Sequence, residues 1–192
     1  MKQNSDRFSG KENSKSKLDK TGWLFNHPVS FFLISLSFLI VIFYWFLRTA
    51  FFNEHIFEKI ISINGYLSSF LLNLLGQKTT SNLGNIFSPS VSISLRLGCD
   101  GLEPMALFAA AVISFPSTVI SKLKGVFLGV VFLFSVNQLR IVSLFFIQRY
   151  RPGWFELFHA TIWQVVFIAL ALVCCGYWIQ TNQKLNTVNA SK

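Results

Sequence analysis

Charge is what this sequence has least of. Only 13% of its 192 residues are Asp, Glu, Lys or Arg, against 52% hydrophobic and 16% aromatic, and the mean hydropathy is +0.50. A soluble domain carries roughly a quarter of its residues as charges, so half that share excludes an ordinary soluble fold and implies that lipid covers much of the surface. The hydrophobic content also excludes a chain disordered throughout. Acidic residues number 8 against 17 Lys and Arg, for a net charge of +9. Nucleic acid is nevertheless excluded as a partner, because the positive charge forms no continuous patch between aromatic platforms. Six basic residues, Lys2, Arg7, Lys11, Lys15, Lys17 and Lys20, sit in the N-terminal tail, and most of the others flank apolar runs, where membrane topology puts them. Histidine is limited to His27, His55 and His159, without the paired spacing of metal ligands, so neither a metal nor a cofactor is expected. There is no glycine-rich phosphate loop and no pair of catalytic carboxylates.

What is present reads as an all-α integral membrane protein of about four to five transmembrane helices, with an amphipathic interfacial or re-entrant helix and a short extended loop. Residues 1–22 hold mostly Asn, Ser, Lys and Gly and cannot bury enough surface to offset the entropy of ordering, so they form a disordered, basic cytoplasmic tail. A single membrane domain occupies 23–180, and 181–192 form a second cytoplasmic tail. The run 29–47 has 19 residues without a charge, enough at ~1.5 Å per residue to cross a ~30 Å hydrocarbon core. A cleaved signal peptide is the weaker reading of this run, since the apolar stretch is too long and no small-x-small site follows. Further spans are expected at about 102–118, 125–147 and 155–179. The apolar run that opens the first of these is only ~21 Å long if it stops at Phe115, so its helix is expected to continue to about Thr118.

Segment 56–75 is patterned differently. Glu58, Ser62, Gly65, Ser69 and Asn73 recur at spacings of 4, 3, 4 and 4, a polar stripe on one helical face. Such a helix either lies in the membrane interface or packs its stripe against other spans. Residues 76–97 are rich in Asn, Ser, Thr and Gly and read as a loop, with an extended piece through Val91, Ile93, Leu95 and Leu97.

An ionisable or reactive residue at a membrane helix is costly to bury and is therefore a functional candidate. Three stand out. Cys99 lies between Gly98 and Gly101, in a turn that opens a helix, where amide N–H groups favour the thiolate. Its plain alternative is an inert small apolar side chain, the reading given to Cys174 and Cys175. Arg140 follows Asn137 by three residues and shares its helical face, so a guanidinium that fixes a carboxylate or oxyanion stands beside an amide donor. The alternative is an arginine snorkelling to the interface. His159 follows Glu156 by three residues, which lets a carboxylate orient a general base; the alternative is an interfacial histidine beside an aromatic belt. With the tail cytoplasmic and 56–75 not crossing, Arg140 lies ~24 Å up its helix from Lys124, and Cys99, Arg140 and His159 reach one depth. The positive-inside rule does not fix the side: ten basic residues are cytoplasmic whether or not 56–75 crosses.

These residues resemble the exosortase/archaeosortase family of membrane cysteine transpeptidases, specifically a short exosortase type. The resemblance rests on Cys99-Asp-Gly-Leu102 opening a span, Asn137-Gln-Leu-Arg140 late in the next, and His159 near the start of the last. Asp100 stands where many members carry Ser or Asn. The resemblance implies a thiol protease or transpeptidase in the cell (inner) membrane, with its site on the outer face and its N-terminus cytoplasmic. Its implied partners are exported proteins bearing a C-terminal motif, a transmembrane helix and a basic tail. Cys99 would attack the carbonyl, His159 would move the proton, Arg140 would hold oxyanion or substrate, and Asn137, Gly101 and Glu156 would support them, before transfer to an acceptor nucleophile. Two other classes compete: a small transport or channel subunit that uses Arg140 and His159 to line a path, and a non-catalytic assembly partner that needs none of the three.

Overall fold

The computed structural model describes residues 28–95, 98 and 100–190. The expected disordered tail at 1–22 lies outside the described residues, as does Cys99. Among those described, the chain forms helix α1 (Pro28–Leu47), π-helical turns at Phe52–Phe57 leading into α2 (Glu58–Leu74), strands β1 (Thr80–Asn82), β2 (Asn85–Phe87) and β3 (Ser92–Ser94), then helices α3 (Leu102–Ser114), α4 (Val119–Tyr150) and α5 (Trp163–Ala190). A 3-10 turn at Pro152–Trp154 and π-helical turns at Leu157–Ile162 lead into α5.

Among the described residues, which are mostly helical, three helical stretches are long and apolar enough to cross a membrane: Val29–Leu47, Val119–Tyr150 and Pro152–Asn182. Phe31, Ile34, Phe38, Val41 and Trp45 of α1 are all exposed, a surface that water would penalise and lipid tails would cover. The expected span 102–118 is corrected to a 13-residue helix, ~20 Å long. It stops because Pro116 drives the residue before it out of the helical region: Phe115 is extended, with φ −74° and ψ 137°. Helix α4 starts earlier than the expected 125 and runs 32 residues, while α5 carries on past 180 to Ala190, so the C-terminal segment begins as helix.

Two cores hold these elements. Met105, Phe108 and Val112 of α3 pack with Leu133 of α4 and with Phe167 and Ala171 of α5. Glycine lets α4 come close here: a Cβ on Gly129 would lie 2.0 Å from the Phe108 ring, the small-residue contact by which membrane helices approach one another. The second core joins Ile61 and Leu72 of α2, Ile86 and Ile93 of the sheet, Leu95, and Ile141 and Phe145 near the C-terminal end of α4.

The extended piece expected within 76–97 is a three-stranded antiparallel sheet in the order β1-β2-β3. Thr80 pairs with Phe87 and Asn82 with Asn85; on the other side of β2, Ile86 pairs with Ile93 and Asn85 with Ser94. Leu83 and Gly84 turn the first hairpin with φ of 47° and 77°, the two positive values that a type I′ turn requires. Gly84 also has no room for a side chain, since a Cβ would sit 1.7 Å from Ile61 Cγ2.

Helix α2 is polar inside and apolar outside. Gly65 and Ser69 of the expected stripe are buried, together with Asn64 and Ser68, while Ile63, Tyr66, Phe70 and Leu74 face outward. The middle of the stripe is therefore packed against neighbours, while Glu58 and Asn73 at its ends are exposed, and the apolar face is the one left to the surroundings. Asn73, though exposed, closes the chain after α2: its Oδ1 accepts from the Thr79 amide at 2.8 Å and its Nδ2 donates to the Thr79 carbonyl at 3.0 Å.

Candidate active site

The seam between α2 and α4 is a buried polar network. Ser68 Oγ donates to Gln138 Oε1 at 2.7 Å, and Asn64 Oδ1 accepts from Gln138 Nε2 at 2.6 Å and Asn137 Nδ2 at 3.2 Å. Asn64 Nδ2 in turn donates to the Ile60 carbonyl at 3.0 Å. Asn64, Ser68 and Asn137 are wholly buried and Gln138 nearly so. A buried amide left without partners costs about 1–3 kcal/mol, so pairing these groups with one another fixes the rotamers of all four.

Asn137 is thereby held against the turn that precedes α3. Gly101 has φ +75°, and a Cβ there would lie 2.8 Å from Asn137 Cγ, so only glycine suits both the backbone and the space. Asp100 is buried, and its Oδ1 accepts from the Leu102 amide at 3.3 Å. Burial pushes the Asp100 carboxyl above its ordinary range, against the opposing pull of backbone amides.

One helical turn along α4 from Asn137, Arg140 reaches the same loop. Its Nη1 donates to the Gly98 carbonyl at 3.0 Å and its Nη2 to the His159 carbonyl at 3.3 Å, and the guanidinium lies 5.7 Å from the centre of the Phe167 ring. The residue is only 4% exposed, which separates it from a snorkelling arginine. Its backbone is braced too: Ser143 Oγ donates to the Arg140 carbonyl at 2.7 Å and accepts from Trp163 Nε1 at 3.0 Å.

His159 falls in the π-helical turns Leu157–Ile162. Such turns recur at functional sites because they leave helical carbonyls free for other donors, and the His159 carbonyl takes Arg140. The imidazole stacks on Phe155, four residues back, with centroids 5.4 Å apart and planes at 10°, and the Glu156 carboxylate, three residues back, acts on it electrostatically. Glu156 is exposed on the rim.

A cleft of about 480 Å³ opens between these parts. It is lined by Ser92 to Leu95, by Arg140, Ile141, Leu144 and Gln148 of α4, and by Phe155, Glu156 and His159. Arg140, His159 and Glu156 thus meet at one cleft, and Asn137 and Gly101 pack together behind it. Cys99 lies outside the described residues; its covalent neighbour Gly98 is the residue whose carbonyl Arg140 holds. Asn64, Ser68 and Gln138 escaped sequence reasoning. Their signal was the i to i+4 spacing of Asn64 and Ser68 in an otherwise apolar helix, hidden by a stripe drawn one position off. No group of three or more His, Cys, Asp or Glu suited to a metal occurs among the described residues. Comparison with protein-family models, with curated proteins and with solved structures finds no match to this chain.

Proposed function

We propose that this chain is an exosortase-like membrane cysteine transpeptidase or protease, which cleaves the C-terminal sorting signal of exported proteins and passes them to an acceptor. The observation that supports this most directly is the Arg140 guanidinium, which donates both to the carbonyl of Gly98, bonded to Cys99, and to the carbonyl of His159. One buried cation ties the backbone at the candidate nucleophile to the backbone at the candidate base.

In this mechanism the Cys99 thiolate attacks a substrate carbonyl. The C–N bond then breaks, His159 gives the leaving amine its proton, and the acyl group stays on sulfur as a thioester. The acceptor's nucleophile, or water, attacks that thioester while His159 takes its proton, and the C–S bond breaks to restore the thiolate. Arg140 positions both backbones and lends positive potential to the developing oxyanion. Among the described residues, α2 bonds the C-terminal half of α4, at Asn137 and Gln138, and Gln77 beyond α2 pairs with Arg149. That is in keeping with a topology in which 56–75 stays on one side and the α3 helix completes a fourth, shorter membrane element; the outward-facing cleft is what the family resemblance implies.

The test pairs labelling with processing. A membrane-impermeant thiol reagent added outside should modify Cys99 and spare Cys174 and Cys175. Cys99→Ser should abolish sorting-signal cleavage while protein levels hold, because a hydroxyl near neutral pH is a far poorer nucleophile than a partly ionised thiol. Full processing by Cys99→Ser would exclude the enzyme reading.

A further inference from the structure

Strand β3 is an edge strand, and its residues line the cleft. The hydrogen-bond phase of the sheet identifies which of its groups face that opening. The Ser88 amide donates to the Val91 carbonyl at 2.9 Å and the Leu95 amide to the Gly84 carbonyl at 3.0 Å. In an antiparallel ladder the bonded pairs alternate with non-bonded ones, so Val91, Ile93 and Leu95 turn their backbone groups toward β2. Ser92 and Ser94 turn theirs away from it, and among the described residues no further strand takes them up. Both serines are exposed, whereas Ile93 between them is buried.

An unpaired edge is normally blunted by charge, proline or a covering element. This one instead carries two small polar residues and lines the same cleft as Arg140 and His159. We infer that the cleft takes an extended peptide segment as a fourth strand on β3, bonded through the N–H and C=O groups of Ser92 and Ser94, with its reactive carbonyl carried to Arg140 and His159. Strand addition of this kind draws affinity from the main chain and leaves sequence preference to alternate side chains. Here one face of the added strand would lie over Ile141, Leu144 and Phe155, so every second peptide residue should be apolar, and its alternate neighbours polar or small. This rests on the proposed peptide chemistry for its purpose, and on the sheet geometry alone for its binding mode.

The experiment reads binding without turnover. Full-length protein carrying Cys99→Ala, in lipid nanodiscs, is panned against a displayed library of random octapeptides, and the recovered sequences are resynthesised with single N-methyl groups along the backbone. Methylation should weaken binding about tenfold or more at every second amide and little between them. Ser94→Pro removes an N–H that the sheet itself does not use, a substitution an edge strand tolerates, and should cut affinity about tenfold with an unchanged unfolding midpoint. Ser94→Ala, which keeps the amide, should bind as the parent does. Failure to recover any peptide, a methylation profile without period two, or equal binding by Ser94→Pro would overturn the inference. Peptide binding with period two alongside full processing by Cys99→Ser would keep the strand site and remove the reaction proposed for it.

Discussion

Replacing Arg140 with lysine keeps the charge and removes the fork. In the native side chain, Nη1 and Nη2 reach two carbonyls on different elements, Gly98 before α3 and His159 ahead of α5, at 3.0 and 3.3 Å. An ammonium is one point on a shorter stem, and to meet one carbonyl it must give up the other. A hydrogen bond from a charged donor is worth about 1.5–3 kcal/mol. At 4% exposure water does not replace the lost partner, so Arg140→Lys should destabilise the fold by about that amount, roughly a 10- to 150-fold change in the folded-to-unfolded ratio. Graded SDS unfolding in mixed micelles, followed by tryptophan fluorescence, measures this. The alkylation rate of Cys99 on the same samples reports whether the loop preceding it has loosened. If lysine matches arginine within about 0.5 kcal/mol and leaves the alkylation rate unchanged, the two-carbonyl bridge has no energetic weight and Arg140 acts only as a positive charge.

Asp100 supplies a pH test. Burial raises its folded carboxyl above the ordinary value of 3.8, so its contribution to stability is fully present below the unfolded value and is lost as pH rises through the folded one. Asp100→Asn, which retains an oxygen for the Leu102 amide, should match the parent in acid and exceed it at neutral pH; lower stability than the parent at pH 7 would refute the assignment. Gly129→Ala should cost about 1–3 kcal/mol, because its Cβ would enter the Phe108 ring. Gly153→Ala, with no heavy atom within 4 Å of its would-be Cβ, should be silent in the same unfolding assay.

Much of this arrangement was legible in the sequence because membrane residence makes polar groups conspicuous. Arg140 and His159 were singled out by the cost of placing them among apolar residues, and they do share a cleft. Asn137 and Gly101, noted for spacing and for turning, prove to be packed on each other. What spacing rules missed follows from departures from 3.6 residues per turn and from strand length. At the π-helical turns Leu157–Ile162 the His159 imidazole stacks on Phe155, a contact that the Glu156–His159 spacing did not announce. Three-residue strands are too short for alternation to announce, so the sheet read as a loop with one extended piece. The early end of α3 was written in Phe115-Pro116 and overlooked in favour of a full-length span.

The central claim, acyl transfer through Cys99 with His159 moving protons, is tested most directly by looking for the intermediate. His159→Gln keeps a hydrogen-bonding side chain but cannot exchange protons near neutral pH, so turnover should fall roughly 10²-fold or more and the covalent species should persist. Intact and peptide-level mass spectrometry of His159→Gln protein, expressed together with exported proteins bearing C-terminal sorting signals, should find a peptidyl thioester on Cys99 that hydroxylamine releases. The same analysis of Cys99→Ser should find none. A His159→Gln protein that processes at the parent's rate and pH profile, or one that stalls with Cys99 unmodified, would contradict the account.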